Sequence, residues 1–264
     1  MKLKKFIEQC RSRGVYSFTT KVAIEETGMT EAGFYNATSR LKSENKLIHP
    51  KQGFYVIVRP EERASGSPSP FNYVERLMGY LDSSYYVGLL SAALIHGATH
   101  QQPQVFQVVT KNRIRSVRKK AVNVQFVFNK DFEETPLITQ KTRSGYIKVS
   151  TCEATAVDVV YYSKKAGGLN NAANILIELA REKKLAPDKL LTAAVDMHSQ
   201  ATLQRLGFML DKFGFTGITG PLSDWVSKNT VSRVPLLSNG KRAGVPQDKK
   251  WKVMVNTEIE PDVV

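Results

Sequence analysis

The chain has 264 residues, of which 42 % are hydrophobic and 23 % charged, an ordinary globular composition that excludes a disordered or collagen-like chain. Thirty-eight Lys and Arg against 24 Asp and Glu leave a formal net charge of +14, which points to a polyanionic partner. No apolar run reaches the length of a bilayer span, the N-terminus lacks a signal-peptide core, and Cys10 and Cys152 stand too far apart to suggest a disulfide framework. The expectation is a cytoplasmic protein with no membrane partner and no disulfides.

Leu3, Phe6, Ile7 and Cys10 recur at helical spacing, which predicts a helix over 2–13 closed by Gly14. A short strand over 16–18 follows. Thr19 or Thr20 then caps a helix running to residue 26 and closed by Gly28, and Thr30 caps a third. The runs 47–49 and 54–58 are β-prone and joined across Pro50-Lys51-Gln52-Gly53, a hairpin. Helix, strand, helix, turn, helix, hairpin is the order of a winged helix-turn-helix, in which the third helix enters the major groove and the hairpin lies against the backbone or minor groove.

On that third helix, Phe34, Ala37, Thr38 and Leu41 are expected to face inward and Ala32, Asn36, Ser39, Arg40 and Ser43 outward. Asn suits adenine and Arg suits guanine as two-point partners, so Asn36, Ser39 and Arg40 are the candidates for base readout. Arg11, Arg13, Lys21, Lys42, Lys46 and Lys51 are candidates for contacts to the DNA backbone.

Three prolines, three serines and a glycine between Arg59 and Phe71 read as a linker. The expected organisation is therefore a winged helix over 1–59, a linker over 60–70 crossed by few contacts, and a larger mixed region over 71–264. In that region Asn72 can cap a short helix, and 85–97 reads as a strand start passing into a helix that stops at Gly97. Strands are expected over 105–109 and 122–128, and a hairpin pairs 138–141 with 146–150. Helices follow over 154–162, 171–184, 188–197 and 199–213, and a late strand over 251–255. The fold class is α+β.

Between the first two of those strands lie Lys111, Arg113, Arg115, Arg118, Lys119 and Lys120, without an acid. The segment reads as a solvated connection, as a phosphate contact, or as a contact to another anionic partner such as an acidic protein surface. No catalytic constellation assembles in the sequence. His96 and His100 have helical metal spacing, but Gly97 stands where a zincin has Glu and ends the helix. Glu153, Asp158 and Asp131 with Lys148 invite a nuclease reading, yet Lys148-Val-Ser-Thr-Cys-Glu153 lacks a nuclease's acid-x-Lys spacing, and Glu153 suits a first helical turn. Gly167-Gly168 is a turn, since no Gly-Lys-Ser/Thr follows. No catalytic residue, cofactor or metal is expected.

The winged-helix segment "RLKSENKLIHPKQGFYVI", then "YYVGLLSAALIHGATHQQPQVFQVVT", "VSTCEATAVDVVYYSKKAGGLNNAANILIEL", "QRLGFMLDKFG" and the closing "WKVMVN" together resemble the AbiEi-type antitoxins of abortive phage infection. The resemblance implies a winged helix that represses its own operon by binding inverted repeats in double-stranded operator DNA. It also implies a larger domain that counteracts a cognate nucleotidyltransferase toxin, for which a stable complex is not required. The chain departs from that pattern in its basic Lys111–Lys120 loop and in its basic C-terminal tail. The competing readings are a nuclease-like defence enzyme and a plain transcription factor whose large region senses or oligomerises.

Overall fold

The computed structural model describes residues 2–99, 103–119 and 122–262. α1 (Leu3–Ser12) buries Leu3, Phe6, Ile7 and Cys10 on one face, as the spacing requires. β1 is Ser17–Thr19. Thr19 caps α2 (Thr20–Thr27) by accepting the Val22 N–H at 3.2 Å, and Gly28 closes it at φ +67°. Thr30 accepts the Gly33 N–H at 3.2 Å and so starts α3 (Glu31–Ser43). β2 (Leu47–Lys51) and β3 (Phe54–Ile57) then pair antiparallel, and the small sheet runs β1-β3-β2.

All four residues of β3 are buried. Tyr55 and Ile57 join Phe6, Phe18, Phe34 and Leu41 in the core under α1–α3. Phe54 and Val56 face the other way, into a second core with Tyr73, Leu77, Val87, Val108 and Val149. A strand buried on both faces shows no polar alternation, which is why 54–58 reads as an unbroken apolar run.

This overturns the expectation that few contacts cross 60–70. Besides the shared core, the Tyr80 hydroxyl donates to the Gln52 carbonyl at 2.8 Å, and Lys51 Nζ donates to the Arg115 carbonyl at 2.6 Å. Arg59 stacks on Tyr16 and bonds Glu62 at 2.8 Å, so the Pro/Ser segment is anchored where it begins. Linker-like composition here marks a surface path, two short 3-10 turns at Pro60–Glu62 and Pro70–Asn72, between elements that touch.

α4 (Val74–Tyr80) follows. Asn72 lies in the preceding turn instead of capping it, and buried Tyr73 takes the cap position. The larger sheet comprises β4 (Tyr85–Val87), β5 (Phe106–Thr110), β6 (Val117–Lys119), β7 (Val122–Phe128), β8 (Leu137–Thr142) and β9 (Gly145–Ser150), in the order β6-β7-β5-β4-β9-β8. It is mixed: β5–β7 and β4–β9 are parallel and the other pairs antiparallel. α5 (Leu89–Ile95) leaves β4 directly.

Successive strand residues point to opposite faces. Tyr85 and Val87 thus meet the hairpin and α4, while Tyr86, Val109 and Val127 meet the helical layer. That layer is α6 (Cys152–Tyr161), α7 (Leu169–Arg181), α8 (Pro187–Asp196), α9 (Gln200–Lys212) and α10 (Thr216–Lys228). Two- to three-residue strands were harder to foresee. β6 forms inside the segment expected as a connection, because Val117 is buried while Arg118 and Lys119 stay exposed on the sheet's edge.

A last small sheet, β10 (Val234–Pro235), β11 (Gln247–Asp248) and β12 (Val253–Met254), closes over α9. Gly207 gives up a side chain so that the Trp251 ring can lie on the helix backbone. Gln204 Nε2 donates to the Trp251 carbonyl at 3.0 Å, and Trp251 Nε1 donates to Asp211 at 2.9 Å. "QRLGFMLDKFG" and "WKVMVN" are therefore two halves of one contact. A methyl group at Gly207 would collide with the Trp251 ring, so Gly207→Ala should cost about 1–3 kcal/mol. Urea or thermal unfolding of the full chain measures it, and an unchanged midpoint would contradict this packing.

Candidate nucleic-acid interface

α3 is positioned by its inward residues. Phe34, Thr38 and Leu41 are buried, so the residues between them face out: Ala32, Tyr35, Asn36, Ser39, Arg40 and Ser43 are exposed. Asn36 and Arg40 stand one helical turn apart on this face, with no side-chain hydrogen bond or ion pair to another described residue. Ser43 turns its hydroxyl back onto the Arg40 carbonyl at 2.7 Å. Tyr35, 50 % exposed, belongs to the same face and was missed, although its spacing from Ala32, Ser39 and Ser43 carries the signal.

The candidate backbone contacts divide. Lys42 is half-buried at the end of α3. Lys46 pairs with Glu44 at 2.5 Å on the surface. Lys51 is spent internally: its ammonium bonds the Arg115 carbonyl and lies 5.6 Å from the centre of the Phe126 ring. The hairpin tip is likewise held by Tyr80 instead of projecting freely. Lys21 is exposed near the start of α2. Arg11 lies beside Tyr16 and Arg59, and Arg13 lines a cleft with Arg76 and Tyr80, so neither is grouped with α3. Lys2 and Lys4 sit beside Arg40 and Glu44 instead. Only the folded position of α1 could reveal that.

The basic segment splits too. Lys111 pairs with Glu133 at 2.6 Å, and the Arg113 guanidinium lies 4.4 Å over Phe128. Arg115, Arg118 and Lys119 are exposed, and Lys119 Nζ reaches the His49 carbonyl at 3.4 Å. Lys120 lies outside the described residues. Because β6 packs beside β2, cations from three elements meet around His49. Burial, then Lys119, then Lys42 hold the His49 imidazole below its ordinary value, and burial, Arg115 and Lys119 hold Lys51 below its own. The imidazole stacks on Tyr55 at 4.7 Å. The result is one cationic face spanning the end of α3, the hairpin and the edge of the larger sheet.

The carboxylates that invited a nuclease reading are not brought together for chemistry. Glu153 sits in the first turn of α6, as expected, and its carboxylate accepts the Ala186 N–H at 3.1 Å. Asp158 is fully buried: it accepts the Tyr86 hydroxyl at 3.0 Å and lies 3.1 Å from His198 Nε2. Burial raises the Asp158 pKa, against the lowering effect of His198 and Tyr86. The His198 ring is stacked under Tyr161 at 3.9 Å. Lys148 is exposed on β9, and Asp131 pairs loosely with Lys130, at 3.9 Å. His96 Nε2 bonds the Ser150 carbonyl at 2.8 Å, while His100 lies outside the described residues.

Sequence reading missed the Tyr86–Asp158–His198 group, whose members come from β4, α6 and the α8–α9 turn. It ties three elements together. Asp158→Ala should cost about 1–3 kcal/mol for each polar partner left unsatisfied, and denaturant unfolding should show that loss.

The arrangement was compared with known proteins. No curated protein matches. Among solved structures, the RV2827C protein from Mycobacterium tuberculosis superposes with a TM-score of 0.66 at 12 % identity, over 95 % of this chain and 89 % of that one; the two share a fold. An antigenic nucleotidyltransferase-like protein from Paracoccidioides brasiliensis reaches a TM-score of only 0.33 at 9 % identity, over 47 % of this chain and 84 % of that one, too slight a likeness to bear on fold or activity. Residues 86–212, from β4 to the end of α9, match the model of the AbiEi antitoxin C-terminal domain, a match that supports an AbiEi-type antitoxin family for this chain.

Proposed function

We propose that residues 1–59 form a winged helix-turn-helix that binds double-stranded operator DNA and represses the chain's own toxin–antitoxin operon, and that the region from 71 onward counteracts a cognate nucleotidyltransferase toxin. The antitoxin half of this reading rests on the family match over 86–212. The DNA half rests on one observation: an exposed α3 face carrying Asn36 and Arg40 borders a cationic face in which Lys42, Arg115 and Lys119 gather around His49 and Lys51.

In this reading α3 enters the major groove, with Asn36, Ser39 and Arg40 at base edges and Tyr35 beside them. Phosphate contacts come from Lys2, Lys4, Lys42, Arg115, Arg118 and Lys119 more than from Arg11, Arg13 or Lys51. The basic strand β6 thus works as part of the DNA surface, and of the three readings open for 111–120 we adopt the phosphate one. The protein acts as a cytoplasmic, non-enzymatic regulator in phage defence.

Fluorescence anisotropy on DNA from the chain's own promoter tests the readout. Arg40→Ala or Asn36→Ala should cost about 1–3 kcal/mol on that DNA and little on random sequence. Reversing Arg118 and Lys119 to Glu should weaken both DNAs alike and flatten the salt dependence. Binding to neither DNA by the parent chain would reject the assignment.

Growth rescue tests the second half. The full-length Arg40→Ala variant, expressed from an independent promoter beside the neighbouring nucleotidyltransferase, should restore growth as the parent does while derepressing a promoter reporter. Loss of rescue in a folded, abundant Arg40→Ala chain would mean that α3 also serves antitoxicity.

A further inference from the structure

A cleft of about 410 Å³ opens where α1, β1 and α2 meet α4. Four aromatic residues contribute to its lining, Tyr80 exposed and Phe6, Phe18 and Phe54 largely buried beneath it. Phe6 and Phe18 meet edge to face at 5.3 Å, and Phe54 and Tyr80 lie 5.5 Å apart, so all four rings contribute to one lining. The volume falls within the range of about 300–1,000 Å³ typical of small-molecule sites.

Two guanidinium groups share this lining, Arg13 from α1 and Arg76 from α4. Both exert their charge on the Cys10 thiol, which also lines the cleft, and Glu26 acts there against them. Neither arginine forms an ion pair with another described residue. Arg76 reaches only the Ser17 carbonyl, at a long 3.4 Å. Both arginines are exposed, so an anion entering the cleft meets two cations that no carboxylate among the described residues pairs with.

We propose that this cleft binds a small aromatic carboxylate, its ring on the Phe6–Phe18–Phe54–Tyr80 lining and its carboxylate between Arg76 and Arg13. Planar carboxylate matches the guanidinium fork, and an aromatic body matches a wall made of four rings. A cationic ligand would meet two arginines against one glutamate. A neutral one would leave both guanidinium groups without a counterion. The site lies between α1–β1 and α4, so an occupant touches the elements on both sides of the 60–70 segment.

The test uses the full chain with 2-naphthoate as probe, compared with uncharged 2-naphthol and cationic 2-naphthylmethylamine, by calorimetry on the DNA-free protein. Naphthoate should bind saturably at one site, about tenfold or more tighter than naphthol, the contribution of one hydrogen bond between charged groups. The amine should bind weakest. Arg76→Gln should bring naphthoate down to the level of naphthol and leave naphthol unchanged. Val22, 44 % exposed at the cleft's edge, offers a second variant that leaves the core alone: Val22→Trp should exclude both ligands. The proposal is overturned if naphthoate fails to saturate one site, or if it binds Arg76→Gln and Val22→Trp as it binds the parent. Because binding is read without DNA, its failure and failure of operator recognition are separate results.

Discussion

β3 has no free face. Phe54 and Val56 belong to the core of the larger sheet, and Tyr55 and Ile57 to the core under α1–α3. Each such side chain contributes about 1.5–3 kcal/mol when fully withdrawn from water, so pulling the strand from either side would expose several of them at once. The position of α3 relative to the larger sheet follows from this strand. Once β3 is sandwiched, β2 lies beside β6, Tyr80 reaches the hairpin tip, and Lys51 turns to the Arg115 carbonyl. The two regions are joined by a shared wall, whatever freedom the Pro/Ser segment has on its own.

That constraint creates the electrostatic one. With β2 and β6 in contact, Lys42, Lys119 and Arg115 are drawn toward His49 and Lys51, and those two groups are held below their ordinary pKa values. The clustering is unfavourable in the free chain, because like charges are brought together while partly withdrawn from water. A row of phosphates would reverse the sign of that interaction and release the counterions that otherwise screen it. The same lysine and arginine on β6 also guard the sheet's edge against pairing with another strand. Charges that suit an edge strand also make it read as a solvated connection, which is why the charge pattern of β6 hides its β character.

The parts legible in the sequence are those governed by nearby residues. Thr19 and Thr30 announce their helices by capping chemistry, and Gly28 ends α2 because it can adopt a left-handed turn. The inward and outward faces of α3 follow from helical period alone. What depends on distant residues was not legible. Asp158 and His198 are forty positions apart, and nothing near either names the other or Tyr86. α10 holds Gly217, Gly220 and Pro221, a poor helix by propensity; it forms because Leu222 and Val226 pack against the helical layer. The unbroken apolar run in β3 was visible, but its meaning as a two-sided strand contradicts the linker-like composition that follows. Composition was the weaker signal, since Pro and Ser describe how a segment travels and not what its ends touch.

The match to the antitoxin domain begins at Tyr86, and the structure shows why that limit is not a boundary of packing. Tyr86 itself faces the helical layer, but its neighbours Tyr85 and Val87 close against Tyr73, Leu77, Phe54 and Val56. At the other end, the match stops with α9, whose Gly207 and Leu206 are covered by Trp251 and the last small sheet. A chain cut to residues 86–212 would lay bare one face of its sheet and one side of α9. The matched region is therefore a kernel set between two covers. The N-terminal cover is the same hairpin and α4 that fix α3, so the exposed face of α3 and the matched region are tied to one buried surface. A substitution in β3 acts on both at once, whereas one on the exposed face of α3 touches neither core.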